Sequence, residues 1–399
     1  MNRRSVSPHP PVLCFSQLRW DFVYQRPQHL MSRIARDRNV FFIEEPVPCE
    51  SEARLAVREV APNVEVVVPQ LRAGHSAPGD AAGEAQLQSL LAQWLRARRI
   101  RTPMLWFYTP MSIVLARDIE ASLVVYDCMD QLSAFAGAPP QMAAREAELL
   151  ERADVVFTGG HSLYEAKRQL HPCVYAFPSS VDLPHFAQAR RAQADPPDLG
   201  PLPPGPRLGF HGVIDERFDG ALIADAAAAR PHWQWLFVGP VVKISPESLP
   251  QAPNIHWLGP RPYAALPSHV GRWDVAIMPF ALNEATRYIS PTKTPEYLAA
   301  GCAVVSTPVT DVVRSWGGSG LVRIAGDAAG FVRAIEDTLA EQPARSAAVC
   351  AAADRVLSGL SWDATCRDML ARLRPRAAVE LAQAARRGSG AANAALWAT

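Results

Sequence analysis

Short apolar runs alternate along the chain with longer segments whose apolar residues recur every three to four positions. Val12 to Phe15 reads as a strand, Gln25 to Arg36 as a helix and Val40 to Glu44 as a strand, which is a βαβ opening. The alternation continues with strands at Met104 to Tyr108, Ser122 to Asp127, Asp154 to Gly159 and Cys173 to Phe177, and with helices at 140–152 and 161–170. Strands this apolar are covered on both faces, as in a parallel sheet. Between Ala187 and Pro206 the composition shifts to Ala, Asp, Pro and Gly, and six prolines (196, 197, 201, 203, 204 and 206) exclude regular structure there.

The pattern then restarts, with strands predicted at Arg207 to Gly212, Trp233 to Gly239, Asn254 to Gly259, Asp274 to Phe280, Ala303 to Thr307 and Gly320 to Ala325. A second α/β sheet follows the first. Residues 344–372 carry a helical pattern, and the Ala- and Arg-rich segment beyond Arg376 offers little to pack. The predicted organisation is an N-terminal Rossmann-like domain (1–186), a Pro-rich linker (187–206), a C-terminal Rossmann-like domain (207–375) and a tail (376–399). The final helix of the second domain is a candidate to pack back on the first.

A chain of 399 residues, 49% hydrophobic, is long enough for two such cores. Lysine plus arginine (40) nearly cancel aspartate plus glutamate (39), so no overall field argues for nucleic acid as a partner. The seven cysteines are scattered and never form C-x-x-C, which speaks against a disulfide framework and a thiolate zinc site and fits a reducing cytoplasm. No stretch approaches the roughly 20 apolar residues of a membrane span. The expectation is a cytoplasmic protein.

The most informative stretch runs from Pro279 to Asp311. A strand ends at Phe280, a polar loop follows, and a short helix carrying Glu296 ends at Gly301. Ligands of open α/β sheets sit beyond the carboxyl ends of strands, where this loop lies. Ser290 and Pro291 read as N-cap and first helical residue, leaving the amides of Thr292 and Lys293 to meet an anion such as a diphosphate. Alternatively Thr294 caps and Pro295 starts the helix. Lys293 adds positive charge, and Glu296 is placed to accept hydrogen bonds from two ribose hydroxyls. An ordinary capped helix with a surface ion pair fits the same spacing.

In the N-terminal half, Arg26 and His29 lie just past the first strand's carboxyl end and would face a cleft if the sheet is parallel; packing is the plainer role for His29. Asp127 and Asp130 fall on the same rim and, with Arg26 and His29, are the candidate catalytic groups; Gly159, Gly160 and Ser162 begin a further helix. Leu87, Leu90, Leu91, Trp94 and Leu95 share one helical face, followed by Arg96, Arg98, Arg99 and Arg101. Such a helix either covers the sheet or lies on an anionic membrane.

The segment SPTKTPEYLAAGCAVVST resembles the donor-site signature of GT-B glycosyltransferases, in particular the retaining group 1, or family 4, enzymes. LRWDFVYQRPQHLMSRIA, VVYDCMDQLSAF, ADVVFTGGHSLYEAKR, FPSSVDLPHF and LGFHGVIDERFD agree in order, over about Pro11 to Arg372. Together they resemble bacterial cell-surface polysaccharide glycosyltransferases, teichuronic acid enzymes included.

The resemblance implies a GT-B architecture, two Rossmann-like domains facing a central cleft. It implies hexosyl transfer from a nucleoside diphosphate sugar to a glycan or lipid-linked acceptor, with retention, at the cytoplasmic side and with peripheral membrane contact. Of the family's two donor-site glutamates the second matches Glu296, whereas Tyr288 stands at the first, so Glu284, Thr286 or Arg287 is left to meet the donor sugar. Arg217, in a loop with Asp215 and Glu216, and Lys243 are the candidates to neutralise the leaving diphosphate. Met129 precedes Asp130 where relatives often have histidine. Asp127 and Asp130 are two residues apart rather than one, so no metal and no cofactor beyond the co-substrate is expected. A sugar-nucleotide epimerase and a non-catalytic nucleotide-sugar-binding protein are the alternative readings.

Overall fold

The computed structural model describes residues 9–77, 79–191, 196, 199–200 and 202–375; the predicted tail from 376 and part of the predicted linker lie outside the described residues. The N-terminal domain is built on strands β1 (Val12–Ser16), β2 (Val40–Glu44), β3 (Val47–Cys49), β4 (Arg54–Ala61), β5 (Val64–Arg72), β6 (Met104–Phe107), β7 (Leu123–Cys128), β8 (Val155–Thr158) and β9 (Val174–Ala176). They pair in the order β3-β5-β2-β1-β6-β7-β8-β9, all parallel, with β4 added antiparallel to β5. Helices α1 (Arg26–Ile34), α2 (Ala81–Ala97), α3 (Met142–Arg152) and α4 (His161–Lys167) cover the sheet.

The two-residue period of β1 explains why both faces need cover. Leu13 and Phe15 enter a core with Leu91 and Leu95 of α2 and Leu149 of α3. Val12 and Cys14 enter the opposite core with Leu30, Met31 and Ile34 of α1. The sequence reading passed over the β4–β5 hairpin, whose signal was the β-branched run from Val64 to Val68 behind a turn at Asn63 (φ 61°). Leu87, Leu91 and Leu95 of α2 are buried against the sheet, so the membrane reading loses its apolar face. Arg98 pairs with Glu65 and lies 5.0 Å from the Trp94 ring, while Arg96, Arg99 and Arg101 are exposed.

The C-terminal domain contains α5 (Leu183–Phe186), β10 (Arg207–His211), α6 (Gly220–Ala229), β11 (Gln234–Val238), β12 (Ile255–Gly259), α7 (Leu266–Val270) and β13 (Val275–Met278). It continues through α8 (Lys293–Ala299), β14 (Val304–Ser306), α9 (Thr310–Trp316), β15 (Val322–Ile324), α10 (Ala328–Glu341) and α11 (Ala347–Val356). Its six strands are all parallel, in the order β12-β11-β10-β13-β14-β15.

Two expectations about organisation need correction. Val181, Phe186 and Ala189 already belong to the C-terminal core, and residues 187–190 form a 3-10 turn, so the chain changes domain before the Pro-rich segment. Composition marks the irregular stretch, but burial decides which domain a residue belongs to. The helical pattern of 344–372 also breaks in two at Gly359 (φ 80°). The second piece, α12 (Trp362–Leu370), inserts Trp362, Cys366 and Met369 into the core shared with α1. Among the described residues, no helix is long and apolar enough to cross a membrane.

Candidate active site

The carboxyl ends of β10, β11 and β13 and the start of α8 face the N-terminal domain. Helix α8 begins at Lys293 with Thr292 as N-cap, between the two starts the prolines suggested. Pro295 is its third residue, where an amide would find no acceptor within the helix, so proline costs nothing there. The amides of Thr292, Lys293 and Thr294 are likewise without an intrahelical acceptor and are available to an anion.

Lys293 runs from that first turn between two phenyl rings, with Nζ 5.3 Å from the centroid of Phe210 and 5.7 Å from that of Phe280. It passes over Gly212 (φ 133°), where a β-carbon would stand 2.3 Å from its Cε and 2.6 Å from its Nζ. The Gly212 backbone is crowded from the other side too, because a β-carbon on Gly239 would meet the Gly212 carbonyl oxygen at 1.8 Å. Burial, aided by the nearby charge of Arg217, brings the Lys293 ammonium down to about 8. Burial likewise pushes the Glu296 carboxyl up to about 8, against the pull of Lys293.

The sequence reading missed His211. It ends β10, stacks on Phe186 (centroids 5.8 Å, 7°) and has Nε2 3.5 Å from Oε2 of Glu296. Its backbone N–H donates to Oη of Tyr297 at 2.9 Å. Burial, with Lys293 next, holds its pKa well below the usual value, so the ring is neutral. The available signal was a histidine at the carboxyl end of the domain's first strand, directly before a glycine.

Arg217 is gripped by Asp215, with Nε 2.9 Å from Oδ1 and Nη2 2.7 Å from Oδ2. That fork engages Nε and Nη2 and leaves Nη1 its donors. Across the cleft, the loop after β7 presents Asp130, whose carboxyl is raised by burial while Arg217, Lys293 and Lys243 draw it back. Phe135 of the same loop has Arg217 at 5.2 Å and Lys243 at 5.1 Å from its centroid. The N–H of Ala136 donates to Glu216 at 3.0 Å, which ties the two domains together at this edge.

Other candidates lie elsewhere. Arg26 and Asp127 form a buried fork (Nε to Oδ1 3.0 Å, Nη2 to Oδ1 2.8 Å), and Nη1 of Arg26 donates to the Phe177 carbonyl at 2.7 Å. With relative exposures of 2% and 0% they form a buried ion pair, in which Asp127 stays in the core while Arg26 also borders the small junction cavity beside Asp130. His29 stacks on Trp362 of α12 (4.7 Å, 11°) and is driven down to about 3 chiefly by burial, so its part is packing. Arg287 is exposed, paired with Glu284 at 3.6 Å and set over the Tyr288 ring at 5.3 Å, outside the cleft. Thr286 closes its own turn through the carbonyls of Ala281 and Asn283. Tyr288 packs on the N-terminal core. Ser290 stands against Gly160, where a β-carbon would come within 2.7 Å of it, and the N–H of Ser162 donates to Asp311 at 3.0 Å.

Three adjoining cavities occupy the cleft, and Gln25, Val213 and Arg217 border all of them. The first, about 350 Å³, lies over His211, Lys293 and Glu296 and extends to Tyr263 and Arg261. A junction of about 90 Å³ is lined by Asp130, Ser290, Thr292 and Lys293. The third, about 560 Å³, opens on the N-terminal side between Glu45, Phe135 and Lys243. Among the described residues no cluster of His, Cys, Asp and Glu suits a metal ion.

Two Rossmann-like domains around a cleft, with a cation-bearing helix start on the C-terminal side, define the GT-B architecture. Residues 205–341 match the family model described as Glycosyl transferases group 1. The chain is 28% identical over 221 residues to the putative teichuronic acid biosynthesis glycosyltransferase TuaH of Bacillus subtilis (strain 168). That match covers 51% of this chain and 55% of the relative, so the chain spans about half the length of the curated protein it matches. Among solved structures, sucrose-phosphate synthase from Thermosynechococcus elongatus aligns with TM-score 0.69 at 16% identity, over 96% of this chain and 100% of that one. Anabaena Alr3699/HepE, solved in complex with UDP and glucose, aligns with TM-score 0.62 at 14% identity, over 91% and 98%. The fold is thus that of the GT-B glycosyltransferases, and residues 205–341 are similar to their group 1.

Proposed function

We propose that this protein transfers a sugar from a nucleoside diphosphate sugar in the 350 Å³ cavity to an acceptor entering from the 560 Å³ cavity. The observation that carries the reading is the convergence of Lys293, Arg217 and the amides that start α8 on one junction, with Glu296 beside them and Asp130 opposite. Glu296 holds the ribose hydroxyls, and the neutral His211 lies at its back. The departing diphosphate leaves an oxocarbenium-like carbon, and the cations and amides hold its developing charge. Its oxygen then takes the acceptor's proton on the face it has just left, so the anomeric configuration is kept without a protein nucleophile. The chemistry needs no metal. Asp130 is the carboxylate nearest the transferred sugar, in place of the glutamate absent at Tyr288. Lys243 supports the acceptor side of the diphosphate site.

The likeness to TuaH supports a role in cell-surface polysaccharide synthesis, with a glycan or lipid-linked acceptor at the cytoplasmic face of the membrane. Uridine diphosphate is the first nucleotide to test, given the complex described for HepE. The test is a thermal-shift screen of nucleoside diphosphates followed by acceptor-dependent nucleotide release with the matching sugar donors, with and without EDTA. A rise in apparent stability with one diphosphate is expected, because a ligand of the folded state alone stabilises it. Glu296→Ala should weaken that binding about tenfold, the scale of one or two lost hydrogen bonds. Unchanged affinity in Glu296→Ala removes the ribose assignment, and turnover of the donor sugar without any acceptor replaces transfer by epimerisation.

A further inference from the structure

The 560 Å³ cavity has chemistry of its own, and an inference about its occupant rests on the transferase reading above. Its N-terminal wall includes Phe22, in the loop between β1 and α1 at the border with the 350 Å³ cavity, and Glu45, directly after β2. Phe22 is 41% exposed, an unusual position for a phenylalanine, and among the described residues no aromatic or cationic partner covers its ring. The Glu45 carboxylate makes no hydrogen bond or ion pair among the described residues, although the residue is half-buried. Arg19, the nearest cation of its own domain, is spent on Oε2 of Glu44 at 2.9 Å and on the Glu45 carbonyl at 2.7 Å. Burial raises the Glu45 carboxyl, with Arg19 and Lys243 drawing it back.

An open aromatic face and an unsatisfied carboxylate on one cavity wall suit a pyranose. The C–H face of the sugar covers the ring, and its hydroxyls donate to the carboxylate. The charges around the cavity are the carboxylates of Glu45, Asp130 and Asp215 against the cations Arg217 and Lys243. Asp215 already holds Arg217, and a bound diphosphate would draw on the cations further, so the cavity is negative when the donor is in place. We propose that Phe22 and Glu45 form the acceptor subsite, and that it takes an uncharged pyranose with its ring on Phe22 and two hydroxyls on Glu45. An acceptor carrying a carboxylate or phosphate on that same ring is disfavoured.

The test uses the full chain with UDP present and reads binding by saturation-transfer NMR, so turnover is not required. The probes are methyl glucopyranoside and methyl galactopyranoside, set against glucuronate and glucose 6-phosphate. At least one neutral glycoside should bind about tenfold better than either anionic sugar, and Glu45→Gln and Phe22→Ala should each weaken it by a similar factor. Equal or better binding of the anionic sugars, unchanged binding in both variants, or no signal from either neutral glycoside overturns the assignment. Calorimetry of the nucleotide runs in parallel. Glycoside binding without nucleotide binding would overturn the transferase reading and leave the subsite standing.

Discussion

Lys293 crosses directly over Gly212: a β-carbon there would stand 2.3 Å from its Cε and 2.6 Å from its Nζ. The contact is made between the end of β10 and the first turn of α8, elements some 80 residues apart in sequence. The helix-borne charge is therefore set by the backbone of a neighbouring strand.

Gly212→Ala should displace Lys293 and strain a backbone held at φ 133°. The expected result is a nucleoside diphosphate affinity about tenfold lower, with about 1–3 kcal/mol lost to the strained backbone. Calorimetry and urea unfolding read the two effects separately. Wild-type affinity would mean that Lys293 does not meet the diphosphate.

The pH dependence of nucleotide binding follows from the same lysine. Burial brings Lys293 down to about 8, so in the empty site its charge is lost as the pH rises through that value. Glu296, raised to about 8, becomes negative over the same range. Both changes oppose an anion. Affinity for a nucleoside diphosphate should fall above pH 8, and binding near pH 8 should take up protons, because the ligand restores the lysine's charge. Calorimetry in two buffers of different ionisation enthalpy measures that uptake; proton release would contradict it.

Asp130 borders the junction between donor and acceptor cavities and faces Arg217 and Lys293. Asp130→Asn should lower kcat by about 10- to 100-fold, the scale of one charged hydrogen bond. Nucleoside diphosphate affinity should hold or tighten, since a negative charge near the phosphates is gone. A parallel loss of kcat and of nucleotide affinity would make Asp130 a structural residue.

Asp127, by contrast, should behave as part of the core. Asp127→Asn leaves the Arg26 guanidinium buried without its counter-charge, which costs about 3–5 kcal/mol. A urea-unfolding midpoint close to wild type would return the pair to the cleft.

The chain's own pattern sufficed for much of the architecture. The continuous apolar runs of β1 and β10, buried along almost their whole length, announce parallel sheets covered on both faces, and the stretch from Pro279 to Gly301 marks a strand end, loop and helix start, because strand and helix patterns are local properties of the chain. Glu296 and Lys293 were legible for the same reason: a strand end, a polar loop and a helix start lie consecutively in the sequence. Asp127 and His29 turn into packed interiors, and Arg26 borders the junction but is committed to Asp127, because position at a strand's end does not show which way a side chain turns or what it pairs with. Arg26 and Asp127 are 101 positions apart, and their fork exists only when α1 and β7 pack together. Helix α12 covers His29 from more than 300 residues away. His211 had a local signal, its place at a strand's carboxyl end before a glycine, but that signal does not separate a site histidine from a core one; Glu296 gives it meaning only across β10 and α8. Local periodicity therefore determined the sheets and the place of the helix that starts at Lys293, while long-range packing alone decided which charges are paired in the core and which are left facing the cleft.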